Sequence, residues 1–156
     1  MDYASCPTEV VNSPIEVVWN LLTNPAGWGG FFDLRVLGVE PAGQAQVGQR
    51  VRAETGPRSL HLKVGFKFTE IDAERHRLGF DVELPFGIKV REEMDCALVS
   101  AGSCRVNYHC NFEFPSGIRG RALRLLVRRG LDSGPRDSLQ RLKRAAEAGV
   151  GEGHRA

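Results

Sequence analysis

Glu92 and Tyr108 are the residues of this sequence best able to move a proton or hold a polar ligand atom, and their neighbours are the reason. Val90, Glu92, Met94 and Cys96 share one parity of an alternating run, and Cys104, Val106, Tyr108, Cys110 and Phe112 share one parity of the next. Successive strand residues point to opposite faces of a sheet, so the parity that turns Val90 and Met94 inward turns Glu92 inward too. An unpaired buried carboxylate is expensive, which means Glu92 needs a partner or a cavity. If Gly102 closes a three-residue hairpin in the left-handed conformation, Glu92 pairs near Cys110 and Met94 near Tyr108, with carboxylate and phenol on one wall. There Glu92 is a base or a polar anchor and Tyr108 a donor. The competing reading has Glu92 bonded to an arginine or wetted at a sheet end, and Tyr108 as plain core.

Other reactive side chains are less well disposed. Arg119 opens the last helical segment at an angle near its apolar side and is within reach of Glu92 or of a ligand carboxylate; the same segment carries Arg129. Either can instead snorkel outward. His61 and His109 have outward parity, His76 sits in a turn and His154 in the tail, so no two share metal-ligand spacing and no metal is expected. Cys6, Cys96, Cys104 and Cys110 form no CxxC pair and lack a neighbouring base, which reads as reduced, packed thiols. Gly27, Gly29 and Gly30 surround Trp28 without forming a phosphate loop, and no cofactor is expected. Trp28, Phe31 and Phe32 beside these glycines suit either a gate or an anchor for a short helix.

The elements that must position these groups follow from periodicity. Ser13-Pro14-Ile15-Glu16 has the form of a capping box, which predicts a helix from Pro14 with Ile15, Val18, Trp19 and Leu22 on one face and a stop at Asn24-Pro25. Tyr3 to Val11 before it reads as a strand interrupted at Pro7, and Ala26 to Phe32 as a second short helix or turn. From Leu34 to Phe114 the period is two. Leu60, Leu62, Val64, Phe66 and Phe68 share a face, and Leu78, Phe80, Val82 and Leu84 repeat the pattern. Gly and Pro punctuate the gaps, so an antiparallel meander is expected. After Pro115 the period returns to 3.6, with Ile118, Ala122, Leu125 and Leu126 on one side and Arg121, Arg124 and Arg128 on the other. Leu139, Leu142 and Ala146 then fall near the arginine side, which calls for a kink or restart around Gly130 and Gly134-Pro135.

The 156 residues suit one domain, read here as 1–148 with a flexible tail over 149–156. No stretch approaches the roughly 18 apolar residues of a membrane span, and the first residues lack a basic and then apolar leader, so a soluble cytoplasmic protein is expected. The formal net charge of +2 hides an asymmetry: residues 119–144 hold nine Lys or Arg against Asp132 and Asp137. That stripe is expected to be exposed, with weak, salt-sensitive attraction for polyanions. No aromatic residue lies between Ile118 and Ala148 to stack a base, so no specific nucleic-acid function is expected.

Ser13-Pro14-Ile15-Glu16-Val17-Val18-Trp19, then Leu22-Thr23-Asn24-Pro25 and Trp28, and the closing Leu139-Gln140-Arg141-Leu142-Lys143-Arg144-Ala145-Ala146-Glu147 resemble the START-like helix-grip (SRPBCC) superfamily, in its polyketide cyclase/dehydrase and lipid-transport group. The resemblance spans roughly residues 3 to 148 and implies an α+β helix-grip fold. In that fold a curved antiparallel sheet of about seven strands wraps a long C-terminal helix, with two short helices after the first strand. It also implies an internal cavity for a lipid, polyketide, isoprenoid or other apolar molecule. Inward parity nominates Phe66, Phe80, Val90, Met94, Tyr108, Phe112 and Leu123 as its lining, with Trp28, Phe32, Arg119 and Leu126 as further ligand contacts. Three functions stay open: an apolar-ligand binder, a cyclase/dehydrase using Glu92 and Tyr108, or an interaction protein using the basic helix. Monomer and homodimer also stay open.

Overall fold

Alternation dominates the middle of the chain, and the computed structural model, which describes residues 2–56 and 61–152, turns it into strands. In chain order the elements are β1 (Asp2–Ser5), β2 (Thr8–Val11), α1 (Ile15–Leu22), a 3-10 helix at Pro25–Gly30, β3 (Arg35–Glu40), β4 (Arg50–Thr55), β5 (Leu62–Asp72) and β6 (Arg77–Glu83). A second 3-10 turn at Pro85–Gly87 leads to β7 (Lys89–Ser100), β8 (Ser103–Glu113) and α2 (Ile118–Glu152). All strands join one curved antiparallel sheet in the order β1-β8-β7-β6-β5-β4-β3, with β2 also on β8. This is the helix-grip architecture. Leu60 and residues 153–156, including His154, lie outside the described residues.

Among the described residues the sheet has eight strands where about seven were expected, because the first stretch is split at Cys6-Pro7. Both halves pair with β8, and Pro7, which has no N–H to give, accepts a bond from the Tyr108 amide at 3.0 Å. The register of β7 on β8 sets Glu92 opposite Cys110 and Met94 opposite Tyr108. It arises differently from the expectation: only Ala101 and Gly102 lie between the paired Ser100 and Ser103, and the odd residue is absorbed by an irregularity between Leu98 and Ser100. Gly102 does not take a positive φ.

The helix α1 buries Val18, Trp19 and Leu22 as its spacing requires, but it starts at Ile15 and its cap residue is Pro14. Ser13 therefore caps nothing. Its hydroxyl is buried without a partner among the described residues, while the amides of Val17 and Val18 bond the Pro14 carbonyl. Glu16, the other half of the expected box, is held by His76 Nε2 at 2.9 Å.

The helix α2 is unbroken across Pro135 and continues to Glu152, past residue 148. Its sheet-facing stripe is Gly120, Leu123, Val127, Leu131, Pro135, Leu139, Leu142 and Ala146, all buried or half-buried. Two contacts settle that rotation. At the start, a side chain on Gly120 would collide with the Pro115 carbonyl, so this face must pass closest to the preceding loop. Further on, Leu139, Leu142 and Ala146 fill the core beside α1 and β2. With no kink to reset the phase, the first half is turned about its axis relative to expectation. Ile118, Ala122, Leu125 and Leu126 face solvent, and half-buried Arg124 lies over the Tyr3 ring, 5.9 Å from its centroid. Arg121 and Arg128 remain exposed, as their charge requires.

Candidate functional site

Between the concave sheet and the middle of α2 is a cavity of about 390 Å³, within the usual size range of small-molecule sites. Its floor is built by side chains of one parity from β5 to β8: Val64, Phe66, Phe80, Val82, Glu92, Tyr108 and Phe112. Trp28 from the 3-10 helix closes one end. Its ring packs edge-on against Phe32 and Phe66 and tilted against Phe68 and Phe80, while Nε1 donates to the Leu22 carbonyl at 3.1 Å. Such amphipathic rings fill apolar space while their one donor is satisfied. The α2 side of the cavity is made by Gly130, Gly134 and Pro135, where ideal Cβ atoms on the two glycines would meet nothing within 4 Å. Asp33, Asp137 and Arg141 stand where the cavity meets solvent, with Arg141 3.9 Å from Asp33.

Into this space β7 and β8 send one carboxyl and one phenol, and β4 ends at its edge with Thr55, whose hydroxyl donates to the Asp33 carbonyl at 2.7 Å. Tyr108 Oη donates to Glu92 Oε2 at 2.5 Å, and Glu92 Oε1 has no partner among the described residues. Burial pushes the Glu92 carboxyl up to about 7, against the opposing pull of the Tyr108 hydrogen bond. The Tyr108 hydroxyl is raised well above its ordinary range by burial and by the Glu92 charge beside it. Cys110, across the strand from Glu92, is likewise raised by burial and then by that charge, so it stays a thiol. The wall therefore offers one group that gains and loses a proton near neutrality, beside a phenol that holds its own and can donate.

The structure brings Glu92, Tyr108, Trp28, Phe32, Phe66, Phe80 and Phe112 to this cavity and leaves five other nominated residues off its wall. Val90 is buried but lies between Val82 and Phe112, its cross-strand neighbours, whose side chains form the lining there. Met94 is buried toward the end of β7 that α1 covers. Leu123 is half-buried on the sheet-facing stripe but lies two turns before Gly130, where α2 first borders the cavity, whereas Arg119 and Leu126 are exposed through the rotation of α2. Arg119 therefore does not reach Glu92. Val82 and Leu84 were not nominated, although the parity they share with Phe80 already marked them. Gly130, Gly134 and Pro135 carried no such signal, because they read as a break in the helix, and Ser138 and Arg141 are polar residues of the closing helix with no apolar pattern to mark them.

Among the described residues, no cluster of three or more His, Cys, Asp or Glu is placed to hold a metal, and no helix is long and apolar enough to cross a membrane. Many solved structures are similar in shape, among them the following three. The Zhui aromatase/cyclase from Streptomyces sp. R1128 superposes with a TM-score of 0.75 at 17% identity, covering 96% of each chain. A protein of Thermus thermophilus gives 0.72 at 19% identity over 94% of this chain and 99% of the other. Truncated norcoclaurine synthase from Thalictrum flavum gives 0.68 at 13% identity over 93% of each. At such identities these likenesses speak for the fold alone. No curated protein matches the sequence significantly. Residues 7–147, however, match the family model described as polyketide cyclase / dehydrase and lipid transport, and the chain belongs to that family.

Proposed function

We propose that the protein holds an apolar small molecule of the lipid, polyketide or isoprenoid kind in the cavity between sheet and α2, with a carbonyl or hydroxyl of that molecule directed at Glu92 and Tyr108. The observation that carries this reading is the Glu92–Tyr108 pair set among the apolar side chains of β5 to β8, with Glu92 Oε1 left without a protein partner among the described residues. A carboxyl so placed is costly unless a ligand or water completes its hydrogen bonding, and a polar ligand atom does so while its carbon body covers the aromatic rings. The family and the aromatase/cyclase among the similar structures support an apolar, oxygen-bearing ligand. Native mass spectrometry of protein purified from cells tests the reading. A retained apolar mass, lost or weakened in Glu92→Gln, is expected. Its absence, together with no saturable binding of aromatic polyketide-like compounds, would remove the proposal.

The ionisation of Glu92 favours a second reading on the same site, an acid/base step of the cyclase/dehydrase type. A group that titrates near 7 can accept a proton from an activated carbon or hydroxyl and return it. Tyr108 would hold the adjacent oxygen. Turnover of a poly-β-carbonyl chain rising with pH through about 7 and abolished by Glu92→Gln would support catalysis. Binding without turnover would leave the protein a carrier.

A further inference from the structure

The first turns of α2 present their apolar side to solvent. Ile118, Leu125 and Leu126 are 85%, 73% and 83% exposed, and exposed Ala122 lies on the same face at helical spacing. Residues 118–129 contain five arginines and no acidic residue. Arg124 is turned toward Tyr3. The other four, Arg119, Arg121, Arg128 and Arg129, are exposed and form no ion pair among the described residues. Arg129 falls on the apolar face itself, four residues after Leu125, and Arg119 lies at its edge.

We propose that this face docks on an anionic lipid bilayer, with the aliphatic side chains entering the acyl boundary and the guanidinium groups meeting headgroup phosphates. A surface helix with an apolar face set among cations, and no acidic residue to repel the membrane, has the composition of an interfacial segment. Charge argues against a second copy of the chain as the occupant, because pairing two such faces opposes arginines to arginines. An RNA strand would satisfy the arginines but leave the aliphatic residues wet. The docked face runs up to the cavity, since Gly130, next after Arg129, lines it. Docking itself does not depend on what the cavity holds.

Flotation of the full-length chain with vesicles tests the proposal, using phosphatidylcholine alone and phosphatidylcholine with phosphatidylglycerol at near-physiological salt. Binding to the anionic vesicles is expected, weaker by about tenfold or more on neutral vesicles, in Leu125→Ser with Leu126→Ser, and in Arg119→Glu with Arg129→Glu. Both double variants change exposed positions, so their melting curves should match the parent and certify folding. No flotation of the parent would overturn the proposal. So would unchanged flotation of the leucine variant, which would mean charge adsorption alone, or a concentration-dependent dimer that the leucine variant abolishes, which would assign the face to a second copy. Preferential capture of a short RNA over the vesicles would overturn it equally.

Discussion

Glu92→Gln should change the pH dependence of folding in a direction and size that the cavity wall dictates. In the native protein the carboxyl titrates at about 7 against an ordinary 4.5, because burial disfavours the charged form. The native state thus grips this proton more tightly than the unfolded chain does, and the associated stability is fully present below 4.5 and lost as pH rises through 7. Across that window the loss amounts to about 3 kcal/mol, at roughly 1.4 kcal/mol per pH unit of separation. Glutamine keeps an acceptor for Tyr108 and cannot ionise, so the variant should lack this loss. Urea unfolding of both proteins from pH 4 to pH 8 measures it, and taking the difference between them at each pH cancels every other titrating group. The expected result is a variant that gains on the parent by about 3 kcal/mol between the two ends of the range. A difference that stays flat with pH would refute the reasoning, since it would mean that Glu92 is solvated and never resisted ionisation.

Three further outcomes follow from the same geometry. Gly134→Leu should plug the cavity, where an ideal Cβ meets nothing, and lower apolar-ligand affinity at least about tenfold in a fluorescence titration; stability should hold or rise, because glycine costs about 1 kcal/mol in a helix interior. Trp28→Ala removes a ring that touches four phenylalanines and should destabilise by about 3–5 kcal/mol in denaturant melts, a size set by core aromatic deletions. Titration of the native protein with a disulfide thiol reagent should give one fast equivalent, from exposed Cys6, with Cys96, Cys104 and Cys110 reacting only on unfolding because all three are buried and their thiols are held protonated.

The sheet was legible in the sequence because its signal is local and binary. Glu92 and Tyr108 meet because the β7 and β8 parities were readable, and the register survived even though the turn was mistaken, since a bulge supplied the residue that a left-handed Gly102 was expected to supply. Helix rotation is a different kind of fact. The segment 118–128 has a well-formed amphipathic pattern by itself, yet α2 is one rod, and its angle is decided by Leu139, Leu142 and the close approach at Gly120. No window of residues around Ile118 contains that information. Ser13 failed as a cap for a similar reason: the composition was right, but Pro14 took the boundary position. The aromatic end of the cavity was visible as Trp28 and Phe32, whereas the α2 wall was invisible, because residues that make room leave no hydrophobic signature.

That wall has an implication for how the protein can diverge. The strands must carry large inward side chains to hold the sheet together, and a change there disturbs the core. Gly130 and Gly134 contribute little packing, and they sit on a helix already anchored at one end by Gly120 and at the other by Leu139, Leu142 and Ala146. Cavity length and shape can therefore be retuned at these helix positions while the packed strands are left alone. Chains sharing this scaffold can exchange one guest for another by point substitution in the helix, a route to new specificity that leaves the strand registers and the Glu92–Tyr108 pair in place.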